Sequence, residues 1–263
     1  MCRLAAYLGG AETTLSSLVL EPEHSLRVQS YAPKEMMSGV VNADGFGVGW
    51  YAPWSGEEPA VYRSVSPLWA DRSFRGMAGK IRSSAVFAAV RSATPGLPAE
   101  ESGVPPFDSG RFAFMHNGAI DGFRYGPMRR LRDSLSDGTY ENLLGVTDSE
   151  TVFAVALDRL EEGAPLGDAL EETVRRVSAV CADLGRRATL NLALTDGRGM
   201  TFVRHSTEGP GNSLYLLEDG KRFPGGVVVA SERLDGDAGW RAVPDCHLLV
   251  VDGERGAKLR RLS

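Results

Sequence analysis

Two segments with helical periodicity lie between two series of short β-rich runs, and this order limits the folds open to the chain. Residues 149–161 and 168–184 carry apolar side chains at helical spacing, and Gly185 is placed to cap the second segment. The β-rich runs occupy residues 46–51, 61–63, 85–91 and 111–116 before the helices, and residues 189–195, 200–205, 214–218, 227–231 and 247–251 after them. We therefore expect two sheets with the helices packed outside them.

The size and charge of the chain exclude several classes of protein. Its 263 residues suffice for one large domain with a substantial core. A net charge of -5 and the lack of a long Lys/Arg run argue against a nucleic-acid partner. No apolar run approaches the ~20 residues that cross a bilayer, and the amino terminus does not have the pattern of a signal peptide. We expect a cytoplasmic protein without a membrane partner.

The cysteines and histidines form neither a disulfide framework nor a metal site in the sequence. The three cysteines are far apart, and no two of them have the spacing of a zinc site. Cys181 falls on the apolar stripe of the second predicted helix, where core packing explains it. Cys246 and His247 lead into an apolar run that is typical of a terminal strand. We expect reduced thiols, no metal and no cofactor.

Cys2 follows Met1 directly, and this placement is the strongest functional signal in the chain. If Met1 is removed, the chain begins with a thiol and a free α-amine on the same residue. A free α-amine titrates near ~8 and a thiol near ~8.5, so the amine can accept the thiol proton at neutral pH. Cys2 is therefore a candidate nucleophile with its own base, although a cysteine also occurs at this position by chance.

The sequence His116-Asn117-Gly118 follows an apolar run and offers donors for an oxyanion. A side-chain amide beside a backbone N–H is a good pair of donors, and glycine lets the backbone approach the reacting atom. An Asn-Gly turn between two strands explains the same residues. Both interpretations remain open from the sequence alone.

Two charged residues are candidates for binding the α-carboxylate and the α-ammonium group of an amino acid. Arg91 ends the run 85–91, where its guanidinium can bind a carboxylate with help from the Thr94 hydroxyl; a surface arginine would look the same. Thr147 and Glu150 match a capping box for the helix that follows. That cap would hold Asp148 in the first turn, where its carboxylate could bind an ammonium group.

Together these motifs resemble the class II glutamine amidotransferase family, whose members are amino-terminal-nucleophile (Ntn) hydrolases. The matching stretches are Cys2 after Met1, residues 42–47 (NADGFG), residues 91–94 (RSAT), residues 116–118 (HNG) and residues 147–150 (TDSE). The resemblance implies an α+β fold, the Ntn-hydrolase four-layer αββα sandwich of two mostly antiparallel sheets. We expect it as a single domain over residues 2–263.

The resemblance also implies a role for each candidate residue. It makes Cys2 the nucleophile, with its α-amine as the base, and it makes Asn117 and Gly118 the donors to the oxyanion. The residues that it implies in substrate binding are Arg91 and Thr94 for the α-carboxylate, Asp148 for the α-amine, and His116. Such a set is a receptor for a γ-glutamyl group on a small-molecule substrate.

One branch of the family is similar to this chain nearly from end to end, namely the γ-glutamyl amidohydrolases of ergothioneine biosynthesis. The similar stretches are residues 28–33, 42–50, 66–71, 89–94, 190–192, 230–232, 239–240 and 243–245. This resemblance implies hydrolysis of γ-glutamyl-hercynylcysteine S-oxide to glutamate and hercynylcysteine S-oxide. The chain departs from the branch at Leu4, where a histidine is usual.

Other functions remain open. A glutaminase subunit could supply ammonia to a separate synthetase, although few residues here are left for a synthase domain and water is the simplest acceptor. A non-catalytic γ-glutamyl-binding protein would not need the thiol, and a papain-like protease lacks its surrounding motif. The segment 121–146 suits an insertion or a lid, and residues 96–110 suit a mobile stretch. Association into a homo-oligomer also stays open.

Overall fold

A computed structural model describes residues 2–36, 39–93, 100–253 and 256–263. Its strands are β1 (Arg3–Thr14), β2 (Phe46–Tyr51), β3 (Pro59–Ser64), β4 (Arg82–Val90), β5 (Phe107–Ser109), β6 (Phe112–Ile120), β7 (Ala188–Thr195), β8 (Gly199–Ser206), β9 (Tyr215–Gly220), β10 (Phe223–Ala230), β11 (Arg241–Ala242), β12 (His247–Asp252) and β13 (Gly256–Arg261). Its α-helices are α1 (Leu15–Val19), α2 (Leu26–Tyr31), α3 (Arg72–Met77), α4 (Pro127–Arg132), α5 (Asp137–Glu141), α6 (Asp148–Glu161) and α7 (Leu166–Asp183). Every predicted strand and helix is present.

The strands form two antiparallel sheets. The seven-stranded sheet has the order β11-β9-β10-β1-β4-β2-β3, and the six-stranded sheet has the order β13-β12-β8-β7-β6-β5. Neighbouring strands in both sheets run antiparallel. The first and last thirds of the chain share the seven-stranded sheet, so the chain forms one continuous domain.

Three apolar clusters separate four layers. The inner cluster joins the two sheets, with Leu4 and Phe87 from one sheet against Met115 and Phe202 from the other. A second cluster packs helices α1, α2 and α3 on the outer face of the seven-stranded sheet. A third cluster packs α4, α6 and α7 on the outer face of the six-stranded sheet. The expected αββα sandwich is therefore confirmed.

The sequence did not predict strand β1, because the residues of this strand do not alternate between apolar and polar. It lies inside its sheet between β10 and β4, and its first seven residues are buried. A strand covered on both faces has no period of two in its hydrophobicity. The register pairs Arg3 with Val90, so β1 begins beside the residue where β4 ends. Cys2 therefore lies at the same end of the sheet as Arg91.

Strand β6 continues through His116-Asn117-Gly118, for which the sequence allowed two interpretations. Asn117 pairs with Asn191 and Gly118 pairs with Leu190 on β7, so the Asn-Gly turn is wrong. A Cβ atom on Gly118 would overlap the backbone carbonyl of Thr189. Glycine is required here because β7 approaches the backbone too closely for any side chain.

The remaining segments take short elements. Residues 121–146 include α4 and α5, which pack against α6. Residues 96–99 of the stretch 96–110, which was expected to be mobile, lie outside the described residues, whereas Glu101–Gly103 form a 3-10 turn. Gly185 caps α7 with a φ of 59°, as predicted. In the part of the chain that is described, no helix has the length and apolar character needed to cross a membrane.

The amino terminus of α6 has half of the predicted capping box. The Thr147 hydroxyl accepts a hydrogen bond of 3.2 Å from the Glu150 N–H. The Glu150 carboxylate does not return to Thr147; it accepts from the N–H groups of Leu144 and Gly145 instead. Glu150 thereby fixes the loop that leads into α6, and Thr147 alone caps the helix.

Removal of this cap should weaken the fold. We expect Thr147→Ala to lower the free energy of unfolding by about 1 kcal/mol, because one orphan N–H at the start of α6 loses its acceptor. Thr147→Ser keeps the hydroxyl and should lie within about 0.5 kcal/mol of the wild type. Urea unfolding of the three proteins measures both differences. Equal stability of the alanine and serine variants would show that the cap contributes nothing.

Candidate active site

Cys2 lies in a small pocket between the two sheets and the amino terminus of α6. Its half-buried thiol is 3.9 Å from the carbonyl oxygen of Ser92. The lining residues are Cys2, Arg91, Ser92, Ala93, Gly103, Pro105, His116, Gly118, Thr147, Asp148 and Ser149. The structure thus brings four of the predicted site residues, Arg91, His116, Gly118 and Asp148, around the thiol of Cys2, whereas Asn117 is not among the lining residues. Thr94 lies outside the described residues.

Arg91 is buried, with 4% of its surface exposed, and its backbone is held tightly. Its N–H donates to the carbonyl of Gly45, and its own carbonyl accepts from Asp44. The backbone of Gly103 lies so close that a Cβ there would be 2.8 Å from a guanidinium nitrogen. Among the described residues Nη1 of Arg91 has no hydrogen-bond partner. A buried cation with an unused donor is costly, so this guanidinium is ready for an anionic ligand.

Asp148 is the first residue of α6, and its carboxylate is buried. Oδ2 accepts a hydrogen bond of 2.9 Å from the Ile120 N–H, and Oδ1 accepts one of 2.8 Å from the Ser149 N–H. The positive end of the helix dipole also favours a negative charge at this position. Two carboxylate oxygens offer about four acceptor positions, which leaves room for one more donor such as an ammonium group.

His116 uses both ring nitrogens within the protein. Nε2 donates to the carbonyl of Thr189 at 2.9 Å, and Nδ1 is 3.0 Å from the hydroxyl of Ser149. Because a carbonyl only accepts, the Thr189 bond assigns the ring hydrogen to Nε2. His116 therefore links β6, β7 and the first turn of α6 at the wall of the pocket. Its contact with substrate stays a prediction.

The side chain of Asn117 is held by two residues to which the sequence assigned no role, although Ser231 lies in the stretch 230–232 that is similar to the branch. Its Nδ2 donates to the Ser231 hydroxyl at 3.2 Å, and its Oδ1 accepts from the side chain of Asn212 at 3.3 Å. One of the two N–H groups of the amide remains for another acceptor. Ser231 lies 114 residues away in the sequence, and no local pattern connects the two.

Arg3 forms a second network that the sequence did not reveal. Its Nη1 donates to the carbonyl of Cys2 at 2.9 Å, and its Nε pairs with Glu232 at 2.8 Å. Glu232 also accepts from His24 and from the N–H groups of Lys34 and Glu35. Burial alone raises the pKa of Glu232, but these hydrogen bonds outweigh it and lower the pKa to about 2.

Other sequence candidates occupy ordinary structural positions. Leu4, which stands where the branch usually has a histidine, is buried in the core between the sheets. Its apolar side chain cannot replace the nitrogen atoms of a histidine ring. Cys181 is buried in the outer core, as predicted. Within the described ranges, no group of three or more His, Cys, Asp or Glu residues is placed to hold a metal ion.

Comparison with known proteins gives consistent matches. A family model described as glutamine amidotransferases class-II matches residues 17–217. The chain is 39% identical over 263 residues to a protein of Mycobacterium tuberculosis named gamma-glutamyl-hercynylcysteine sulfoxide hydrolase, covering 100% of this chain and 97% of that protein. A solved structure of a glutamine aminotransferase class-II domain protein from Silicibacter pomeroyi superposes with a TM-score of 0.73 at 26% identity, covering 100% of both chains. The glutamine PRPP amidotransferase of B. subtilis shares the fold, with a TM-score of 0.68 at 16% identity over 100% of this chain and 49% of that one.

The Glu232 network should make stability depend on acid pH. Because the pKa of Glu232 in the folded state, about 2, lies below its ordinary value of 4.5, its stabilisation is present above about pH 5 and is lost as the pH falls toward 2. We expect Glu232→Gln to cost about 3 kcal/mol at pH 7, because the charge of buried Arg3 loses its partner. This difference should shrink steadily in urea titrations between pH 5 and about pH 3.

Glu172→Gln is the matched control for this variant. Glu172 pairs with Arg175 and Arg176 on the surface of α7, where solvent screens the charges. Hydrogen bonds from the two arginines also lower the pKa of Glu172 to about 2, but because solvent weakens this surface pair, its substitution should cost less than about 1 kcal/mol at pH 7. A difference between wild type and Glu232→Gln that stays constant with pH would contradict the proposed ionisation of Glu232.

Proposed function

Because the chain belongs to the class II glutamine amidotransferase family, we propose that it is an amidohydrolase that cleaves γ-glutamyl amide bonds with Cys2 as the nucleophile. One observation carries this proposal. The thiol of Cys2 shares a pocket with a buried guanidinium that has an unused donor, Arg91, and with the carboxylate of Asp148 at a helix terminus. This is the charge pattern complementary to an α-amino acid.

The two charges fix the orientation of the substrate. Arg91 would bind the α-carboxylate, with Thr94 as a further donor in the proposal, and Asp148 would bind the α-ammonium. A γ-glutamyl group held at its α-carbon then directs its γ-carbonyl toward the thiol in the same pocket. His116 would support this arrangement because it holds Ser149, the residue that donates to Asp148.

The proposed reaction needs the α-amine of Cys2 to be free, so Met1 must be removed. The amine accepts the thiol proton, and sulfur attacks the γ-carbonyl to form a tetrahedral oxyanion. The second N–H of Asn117 and the N–H of Gly118 donate to this oxygen. The protonated amine then gives its proton to the leaving nitrogen, the C–N bond breaks, and a thioester remains. Water, deprotonated by the amine, releases glutamate and regenerates the thiol.

We propose γ-glutamyl-hercynylcysteine S-oxide as the substrate, cleaved to glutamate and hercynylcysteine S-oxide in ergothioneine biosynthesis. The support is the name of the M. tuberculosis protein, which aligns over the full length of this chain. A cytoplasmic location and a homo-oligomer stay predictions. A glutaminase subunit that works with a synthetase is the second candidate, and it predicts that free glutamine is the better substrate.

Loss of the thiol should abolish the reaction. We expect Cys2→Ala to release glutamate at least about a thousandfold more slowly than wild type, because no other group replaces the nucleophile. Cys246→Ala removes another half-buried thiol and should keep full activity. The assay follows glutamate release from γ-glutamyl-hercynylcysteine S-oxide and from glutamine, and an intact mass shows whether Met1 has been removed. Undiminished activity of Cys2→Ala, or a retained Met1 on active enzyme, would contradict the mechanism.

Arg91 should affect substrate affinity more than folding. We expect Arg91→Met to raise KM by roughly 10- to 100-fold, the cost of one charge-assisted interaction of about 1.5–3 kcal/mol. Its Tm should not fall, because the guanidinium has an unused donor in the folded protein. Arg91→Lys should recover part of the affinity, since it keeps the charge and loses the planar fork. A large drop in Tm with an unchanged KM would indicate a structural role instead.

A further inference from the structure

We propose that Ser231 is a positioning residue that holds the amide of Asn117 in place for the oxyanion, an inference that rests on the proposed function. Ser231 follows β10 directly and is fully buried. Its backbone N–H donates to the carbonyl of Leu4 at 2.9 Å, and its hydroxyl accepts from the Leu4 N–H at 3.0 Å. The serine is thus fixed to β1 only two residues from Cys2.

The same hydroxyl oxygen reaches the other sheet. It accepts a hydrogen bond of 3.2 Å from Nδ2 of Asn117, which lies on β6. One atom of Ser231 therefore connects the strand that follows the nucleophile to the residue proposed to stabilise the oxyanion. The two acceptor positions of the oxygen are both used by these bonds.

Asn212 fixes the opposite side of the same amide. Its side-chain N–H groups donate to Oδ1 of Asn117 at 3.3 Å and to the backbone carbonyl of Asn117 at 3.0 Å. If the amide of Asn117 were rotated by 180°, its NH2 would face the NH2 of Asn212, and Ser231 would lose its donor. Ser231 and Asn212 therefore select one orientation, which leaves one N–H of the amide for a further acceptor.

This arrangement predicts an effect on the rate of the chemical step. An oxyanion donor acts in the transition state, so its displacement lowers kcat and leaves KM nearly unchanged. Removal of such a donor costs about 10²–10³ in kcat. Because Ser231→Ala only loosens the donor, we expect a loss of roughly 10- to 100-fold in kcat, with KM within about threefold of the wild type.

A double-mutant cycle separates positioning from a general structural role. If Ser231 acts through Asn117, Ser231→Ala should reduce kcat by less than about threefold when Asn117 is already alanine. Ser83→Ala is the matched control. Ser83 is also buried, and its hydroxyl accepts from the N–H groups of Tyr51 and Ala85, but it lies at the far end of β4. This control should keep kcat within about twofold.

A second variant tests the inference if Ser231→Ala does not fold. Asn212→Asp keeps the shape of the side chain and replaces the donor to Oδ1 of Asn117 with an oxygen. It should lower kcat by a similar factor without a matching change in KM. Circular dichroism confirms that each variant is folded at the assay temperature.

The outcomes distinguish this inference from the proposed function. Wild-type protein that releases no glutamate from any γ-glutamyl substrate overturns both. An active wild type combined with full kcat for Ser231→Ala and Asn212→Asp overturns the positioning role alone. The positioning role is also overturned if Ser231→Ala lowers kcat by the same factor in the wild type and in the Asn117→Ala variant.

Discussion

The position of β1 inside the seven-stranded sheet is the constraint on which the site depends. Chain termini are usually the least ordered part of a domain, which makes them poor places for a nucleophile. Here β1 is hydrogen-bonded on one side to β10 and on the other to β4, directly after Cys2. The buried Arg3 adds a hydrogen bond to the carbonyl of Cys2 itself. The order of an interior strand thereby extends to Cys2.

Two buried arginines lie near Cys2, and they differ in their partners. Arg3 is paired with Glu232, and the low pKa of that carboxyl keeps the pair charged at neutral pH. Each guanidinium has one nitrogen without a described partner, Nη2 of Arg3 and Nη1 of Arg91, but Arg91 forms no ion pair with a described residue. The carboxylate of Glu232 compensates for the burial of the Arg3 charge. For the second charge, the substrate carboxylate is the proposed partner.

The sequence predicted most of the sheet and helix positions, and it failed where the physical signal is absent. The run 46–51 coincides with β2 because Gly and Pro mark its ends, and α7 was found because one of its faces is apolar, whereas α6 is buried without interruption over residues 150–157. β1 was missed since both of its faces are buried. For the site, Cys2, Arg91, Gly118, Asp148 and His116 do share one pocket. Their supports Ser231, Asn212 and Glu232 lie far away in the sequence, and only the fold brings them near.

Ser231 and Glu232 also explain why the register of β10 against β1 matters for chemistry. Adjacent residues of an extended chain point to opposite faces. Ser231 and Glu232 lie in a bend just after β10 but keep this alternation, because Ser231 reaches Asn117 between the sheets whereas Glu232 reaches Arg3. A slip of one residue would exchange the two side chains, placing a carboxylate beside the oxyanion donor and leaving Arg3 without its partner. The pairing of Ala5 with Ala230 therefore determines that the Ser231 hydroxyl lies beside Asn117 and that the Glu232 carboxylate lies beside Arg3.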